Sequence, residues 1–291
     1  MNSNKSTRRD WLAAATGAAV SVTLAGKLKQ AVADARSAGL RIGMCDWSMR
    51  RQDTSAFELA KQIGLNGVEV SIGTEENKLW LRRPEIQKQY LEAAQRYGMA
   101  IPSIAMGLLN DVPLMCEPRA ALWAADTIEV AKALGARVIL LAFFIKGELK
   151  EQNTDDMRRV TEVLAELAPR AEKAGVILAL ESMLSAEAHL KIINAVQSKQ
   201  IKVYYDAFNA ASAGHDVLKE IKLLGREHIC QVHFKDKPSL GEPTGKVDWP
   251  ATVAALKAIR YDGWIVLETR CPNDVLSDTK KNVALVRQWF A

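Results

Sequence analysis

From residue 40 onward, short apolar runs alternate with longer segments in which apolar residues recur every three to four positions. The apolar runs lie at 40–47, 67–72, 101–106, 137–144, 176–182, 201–208, 229–234 and 264–269. The run at 176–182 (Val-Ile-Leu-Ala-Leu-Glu-Ser) shows no polar alternation, as expected of a strand buried on both faces of a parallel sheet. Helical periodicity falls between the runs, at 56–63, 84–97, 119–134, 155–174, 184–197, 215–224, 249–259 and 277–290. In 155–174, Val160, Val163, Leu164 and Leu167 follow the 3.6-residue period. Punctuation agrees with the pattern. Thr54 or Ser55 stands at a capping position, Pro84 opens a helix, and Gly135 and Gly175 close two others. Eight strand–helix units in about 250 residues predict one (β/α)8 TIM barrel spanning 36–291, with no linker and no second domain. An open doubly wound sheet is the rival, but no Gly-x-Gly-x-x-Gly follows the first strand.

Candidate chemistry sits at the ends of the last four strands. Glu181, Asp206, His233 and Glu268 each follow an apolar run. Parallel barrels gather their C-terminal strand ends around one cavity, so residues far apart in the chain can share a ligand there. A lone acid at such a place is as readily a helix cap or an ion-pair partner. Four in succession point instead to a metal centre. Three hard oxygen donors with one imidazole suit Mn²⁺ or Mg²⁺ with open positions, and suit Cu(I) or structural zinc poorly.

Charge and cysteine content narrow the function. The 291 residues carry a formal charge of +5, but residues 1–35 hold five basic and two acidic side chains, leaving about +2 elsewhere. Nucleic-acid binding is therefore not expected. Four scattered cysteines without a Cys-x-x-Cys spacing make no disulfide scaffold, and Cys230 reads as a plain buried thiol. At the N-terminus, Arg8 and Arg9 precede a small-residue apolar segment and Ala31-Val32-Ala33. That arrangement resembles a twin-arginine export signal over residues 1–35 and is too short for a stable membrane anchor. A periplasmic or otherwise extracytoplasmic location is expected.

Five stretches carry a family resemblance: Leu180-Glu181, Tyr205-Asp206-Ala207-Phe208-Asn209, Val232-His233-Phe234-Lys235-Asp236, Gly245–Trp249 and Tyr261–Glu268. From Leu40 to the C-terminus the chain resembles the xylose isomerase-like TIM-barrel superfamily. Within it, the likeness is to the sugar isomerase/epimerase branch that includes D-tagatose 3-epimerase and hydroxypyruvate isomerase. The resemblance implies one divalent metal on Glu181, Asp206, His233 and Glu268, with Mn²⁺ the first choice and Mg²⁺, Co²⁺ or Zn²⁺ as substitutes. It also implies that Glu181 and Glu268 are the acid/base pair acting on a small carbohydrate through a cis-enediolate. Glu187, Asn209, Lys235 and Trp47 are the candidate substrate contacts. Two positions depart from the epimerase pattern, Asn209 where a histidine is usual and Ser239 where a basic residue is usual, which moves the expectation away from free ketohexoses. His189, His215 and His228 read as surface residues.

Three other activities use the same framework. One is lyase or hydratase chemistry on a 3-keto-glycoside, which an exported location favours. Another is a non-catalytic, exported sugar-binding barrel, against which both glutamates argue. Endonuclease IV shares the barrel but uses several zinc ions held by many histidines, and this chain has four histidines in all. A homo-oligomer is compatible with any of these readings.

Overall fold

The computed structural model describes residues 39–237 and 239–291. The expected export signal at 1–35 lies outside the described residues. Eight parallel strands close in sequence order: β1 (Arg41–Cys45), β2 (Gly67–Ser71), β3 (Ser103–Met106), β4 (Val138–Phe143), β5 (Ile177–Ser182), β6 (Ile201–Asp206), β7 (Ile229–Phe234) and β8 (Trp264–Leu267). β8 pairs back onto β1, with Gly43 opposite Val266, which completes the barrel. Helices α1 (Ser55–Ile63), α2 (Pro84–Tyr97), α3 (Pro118–Leu134), α4 (Thr154–Ala174) and α5 (Ala186–Val196) follow β1 to β5 in turn. After β6 come α6 (Ala207–Ser212) and α7 (Val217–His228), and then α8 (Trp249–Ala258) and α9 (Val275–Phe290). Leu40–Ala291 is one compact unit. Among the described residues no helix is long and apolar enough to cross a membrane.

The absence of alternation in the strands has a direct cause, since both faces are covered. One face meets the helices, where Met44, Val68, Val70, Ile104, Ile139, Leu141, Leu178 and Leu180 join a continuous apolar layer. The other face points inside the barrel, where Ala105, Val138, Leu140, Ala142, Ala179 and Tyr204 form a smaller cluster. Gly135 and Gly175 end α3 and α4 in the left-handed region, at φ 71° and 68°. Each returns its N–H to the last helical turn, as a C-terminal glycine does.

The structure departs from the sequence-based expectations in several details. Thr54 precedes α1, but its side chain makes no capping hydrogen bond; Asp53 Oδ1 instead accepts from Ser55 N at 2.7 Å. An additional short helix, α6, begins directly after β6. Asp206 starts it, accepting from Asn209 N at 2.9 Å. The capping alternative for this acid is thus realised alongside its place in the acidic cluster. β8 stops at Leu267, so Glu268 lies just past the strand, tied back by its N–H to Phe234 O at 3.0 Å.

Candidate metal and active site

The residue-by-residue pleat decides which side chains enter the barrel. On β5 it turns Ala179 and Glu181 inward, on β6 Tyr204 and Asp206, and on β7 Gln231 and His233, with Lys235 continuing the series just past the strand. The upper members of these series converge. One ligand atom from each of Glu181, Asp206, His233 and Glu268 lies within 4.8 Å of every other. Glu181 Oε1 is 3.0 Å from His233 Nδ1, and Glu268 Oε2 is 3.6 Å from the same nitrogen. Asn209 Nδ2 donates to Glu181 at 3.3 Å, and Trp47 Nε1 donates to Glu268 at 3.2 Å. Lys235 Nζ bridges the two sides, 2.7 Å from Glu268 Oε2 and 2.9 Å from Asp206 Oδ2.

These residues fit a divalent cation on their own chemistry. Asp206 Oδ2 is buried and accepts no hydrogen bond, because Lys235 approaches it outside hydrogen-bonding geometry. Three carboxylates and an imidazole nitrogen around one point, with a single lysine to balance them, form a hard oxygen-rich donor set. Electrostatics separate the two glutamates. Burial pushes the Glu181 carboxyl up to about 7; His233 opposes this shift and Glu268 reinforces it. Burial also acts on Glu268, but the charges of Lys235 and His233 and the hydrogen bonds from Lys235 and Trp47 outweigh it and hold that carboxyl below its ordinary value. For His233, burial disfavours the charged ring, yet Cys45 and Glu181 together hold it above the usual histidine range. Unlike environments around two facing carboxyls are what acid/base chemistry requires.

Above the cluster opens a cavity of about 340 Å³. Trp47, Asn209, Lys235, Glu181 and Glu268 line it, so three of the four sequence-derived contacts and both candidate catalytic acids meet there. Leu140, Ala142 and Phe144 supply an apolar wall. Trp47 contributes its indole N–H as well as its ring, and Lys235 is committed to two carboxylates. The structure does not bring Glu187 to this cavity. Ser185 caps α5, its helical register buries Ala186, Ala188 and His189, and Glu187 is left exposed in the first turn.

His189 also corrects the surface reading. It is buried, with Nε2 2.9 Å from Ser182 Oγ and Nδ1 3.0 Å from Ser185 O; His215 and His228 are half-buried. Asp236 explains much of the Gly245–Trp249 motif. Its carboxylate accepts from Lys246 N at 3.0 Å, Val247 N at 3.4 Å and Trp249 Nε1 at 3.1 Å, pinning the loop after β7.

Sequence reasoning missed Glu69, Ser103, Tyr204 and Gln231, which lie inside the barrel below the cluster and are fully or almost fully buried. Glu69 Oε1 is 3.1 Å from His233 Nε2. A signal was available, since Glu69 is the one charged residue in the mainly apolar 67–72 run. Cys45, Glu69 and His233 form a second group of potential ligand atoms within 4.8 Å.

Comparisons with known proteins agree with the fold. A family model described as a xylose isomerase-like TIM barrel matches residues 57–290. The L-ribulose-5-phosphate 3-epimerase UlaE of Escherichia coli is 28% identical over 254 residues, covering 80% of this chain and 87% of the relative. A 2-epi-5-epi-valiolone 7-phosphate 2-epimerase of Actinoplanes is 25% identical over 201 residues, covering 68% and 73%. Among solved structures, the D-psicose 3-epimerase of Clostridium cellulolyticum with D-tagatose superposes with a TM-score of 0.73 at 15% identity, covering 86% of this chain and 99% of that one. A 3-keto-D-glucoside 4-epimerase of E. coli gives 0.71 at 15% identity, covering 86% and 100%.

Proposed function

Because the chain belongs to the xylose isomerase-like TIM-barrel family, we propose that it is a divalent-metal-dependent sugar epimerase or isomerase. It moves a proton α to a carbonyl through a cis-enediolate. The observation that carries this reading is the convergence of Glu181, Asp206, His233 and Glu268 beneath a cavity of sugar-accommodating size. These four residues would hold the metal, with Mn²⁺ the first choice and Mg²⁺, Co²⁺ or Zn²⁺ as substitutes. When bound, it supplies Lewis-acid stabilisation of developing negative charge on the sugar oxygens.

The chain's own groups do the rest. Glu181 and Glu268 take and return the proton, from opposite faces for epimerisation or between neighbouring carbons for isomerisation. Lys235 and Trp47 hold Glu268 in place, Asn209 holds Glu181, and the remaining hydrogens of Lys235 and Asn209 face substrate hydroxyls. Leu140, Ala142 and Phe144 keep bulk water from one side of the sugar.

The names of these two relatives specify phosphorylated substrates, 2-epi-5-epi-valiolone 7-phosphate and L-ribulose 5-phosphate. Lys235 is the one cation among the residues lining this cavity, and it already neutralises Asp206 and Glu268. We therefore favour an uncharged sugar. The apolar wall also favours a second reading, elimination or hydration at a 3-keto-glycoside whose aglycone rests against Phe144. One experiment separates the two. Candidate ketoses, inososes and 3-keto-glycosides are incubated with the Mn²⁺-loaded protein in D₂O and followed by NMR. Deuterium at one carbon of an intact sugar supports epimerisation or isomerisation, and a released aglycone supports elimination. No exchange with any of these classes would overturn both.

Export by the twin-arginine route belongs to the same proposal and would deliver a folded, metal-loaded enzyme. The paired change Arg8→Lys and Arg9→Lys in the full chain is expected to abolish its appearance in the periplasmic fraction. Unchanged export would overturn that part.

A further inference from the structure

Beneath the candidate metal cluster, a chain of polar side chains crosses the barrel from β7 to β2. Gln231 Nε2 donates to Ser103 Oγ at 2.7 Å and to the Tyr204 hydroxyl at 2.9 Å. Each hydroxyl thereby receives a hydrogen and passes its own to Glu69 Oε2, Tyr204 at 2.7 Å and Ser103 through a short contact. Both hydrogens land on one oxygen. The other, Oε1, faces His233 Nε2 at 3.1 Å and Cys45 Sγ, which donates at 3.6 Å. Glu69 is completely buried, and the acceptor capacity of its carboxylate is directed at these named groups.

An ionised carboxylate can only accept, so the hydrogen between Oε1 and the ring belongs to Nε2, which also lies 3.4 Å from Cys45 Sγ. In a neutral imidazole the lone pair then lies on Nδ1. Nδ1 is the nitrogen that faces Glu181 and Glu268. The two nitrogens of His233 thus point into different compartments, one toward the buried Glu69 network and the other toward the acidic cluster.

We propose that Glu69 is the positioning residue of the metal site, holding His233 as its Nε2–H tautomer so that the Nδ1 lone pair is aimed at the metal. Glu69 touches neither metal nor substrate; it acts through His233, and Ser103, Tyr204 and Gln231 fix its orientation in turn. Carboxylates that accept the second N–H of a ligand histidine raise its basicity and set its ring angle, and their loss typically weakens metal binding by about 10–100-fold. This inference rests on the metal-site reading. A purely structural Glu69 would affect folding and leave metal affinity alone.

The test uses Zn²⁺ as a diamagnetic probe on the full mature chain with ¹⁵N-labelled histidine. Proton–nitrogen correlation spectra are recorded with and without Zn²⁺, and His233 is assigned from the signals missing in His233→Asn. The expected result for the wild type is an Nε2–H tautomer with Nδ1 shifted by the metal. With Zn²⁺ bound, zinc on Nε2 or a hydrogen on Nδ1 would overturn the proposal without any variant having to fold. In parallel, Glu69→Gln keeps the side-chain shape and removes the charge. Competition against a chromophoric chelator is expected to show Zn²⁺ and Mn²⁺ affinity reduced by about 10–100-fold in folded Glu69→Gln protein. Unchanged affinity in that protein sinks the positioning role. Failure of the wild type to bind either ion would instead sink the metal-site reading itself, so the two failures are distinguishable.

Discussion

Glu268→Gln is expected to lower proton exchange by about 10²–10⁴-fold, the usual contribution of a well-placed acid/base group. The substitution keeps the side chain's shape and one oxygen that can still accept from Trp47, now 3.2 Å away. What it removes is the charge that holds Lys235 at 2.7 Å, leaving that ammonium with Asp206 alone. Glu181→Gln should reduce exchange to a similar degree by a different route. Its carboxyl sits near neutrality through burial, so the amide resembles its protonated form and leaves the surrounding charges closer to balance. Exchange into deuterated solvent at saturating Mn²⁺ isolates the proton-transfer step from weakened metal binding. Residual exchange within threefold of wild type in either variant would remove that glutamate from the mechanism.

Stripping the metal is expected to abolish turnover, and readdition of Mn²⁺ to restore it, with a pH dependence set by Glu181. In the metal-free protein burial raises this carboxyl from 4.5 to about 7. The folded state therefore holds that proton more tightly than the unfolded chain does. Its contribution to metal-free stability is present in full below about pH 4.5 and is lost as the pH rises through about 7. Metal binding runs the opposite way, because a ligand carboxylate must be deprotonated. Below about pH 7 the ion has to displace a proton, and affinity should fall by up to about tenfold per pH unit. The melting-temperature gap between Mn²⁺-loaded and metal-free protein should consequently be wider at pH 7.5 than at pH 5.5. A gap independent of pH would contradict the place given to Glu181.

Much of this molecule is legible in its sequence because barrel formation imposes strong local rules. Apolar runs without alternation, helical periods and C-terminal glycines define eight units before any contact is known. The acids at 181, 206 and 268 and the histidine at 233 stand out because each follows a run that is otherwise apolar. Glu69 was overlooked for the complementary reason, since it sits in the middle of its strand and not at the end, where functional residues are sought. The pleat offers a finer signal. Tyr204 and Asp206, and likewise Gln231 and His233 with Lys235 just beyond, are polar residues spaced by two on strands whose remaining positions are mainly apolar. That spacing marks the inward face.

Glu187 and His189 show where such reading fails. Both lie on one amphipathic helix, and their spacing from Glu181 along the chain says nothing about which way each faces. The rotation of α5 about its own axis, set by packing of Ala186, Ala188 and His189 against the barrel, sends Glu187 to solvent and buries the histidine.

The sequence by itself determined the eight strand–helix units and their order, the barrel class, and the four residues around which a metal chemistry can be built. These follow from periodicity, chain length and residue type, which act locally. Tertiary structure alone decided that Lys235 is shared between Asp206 and Glu268, that Asn209 and Trp47 brace the two glutamates, and that His233 is gripped from below by Glu69. Each of those contacts joins different strands or the segments just beyond them, so it exists only when the closed sheet brings distant positions together at a fixed register.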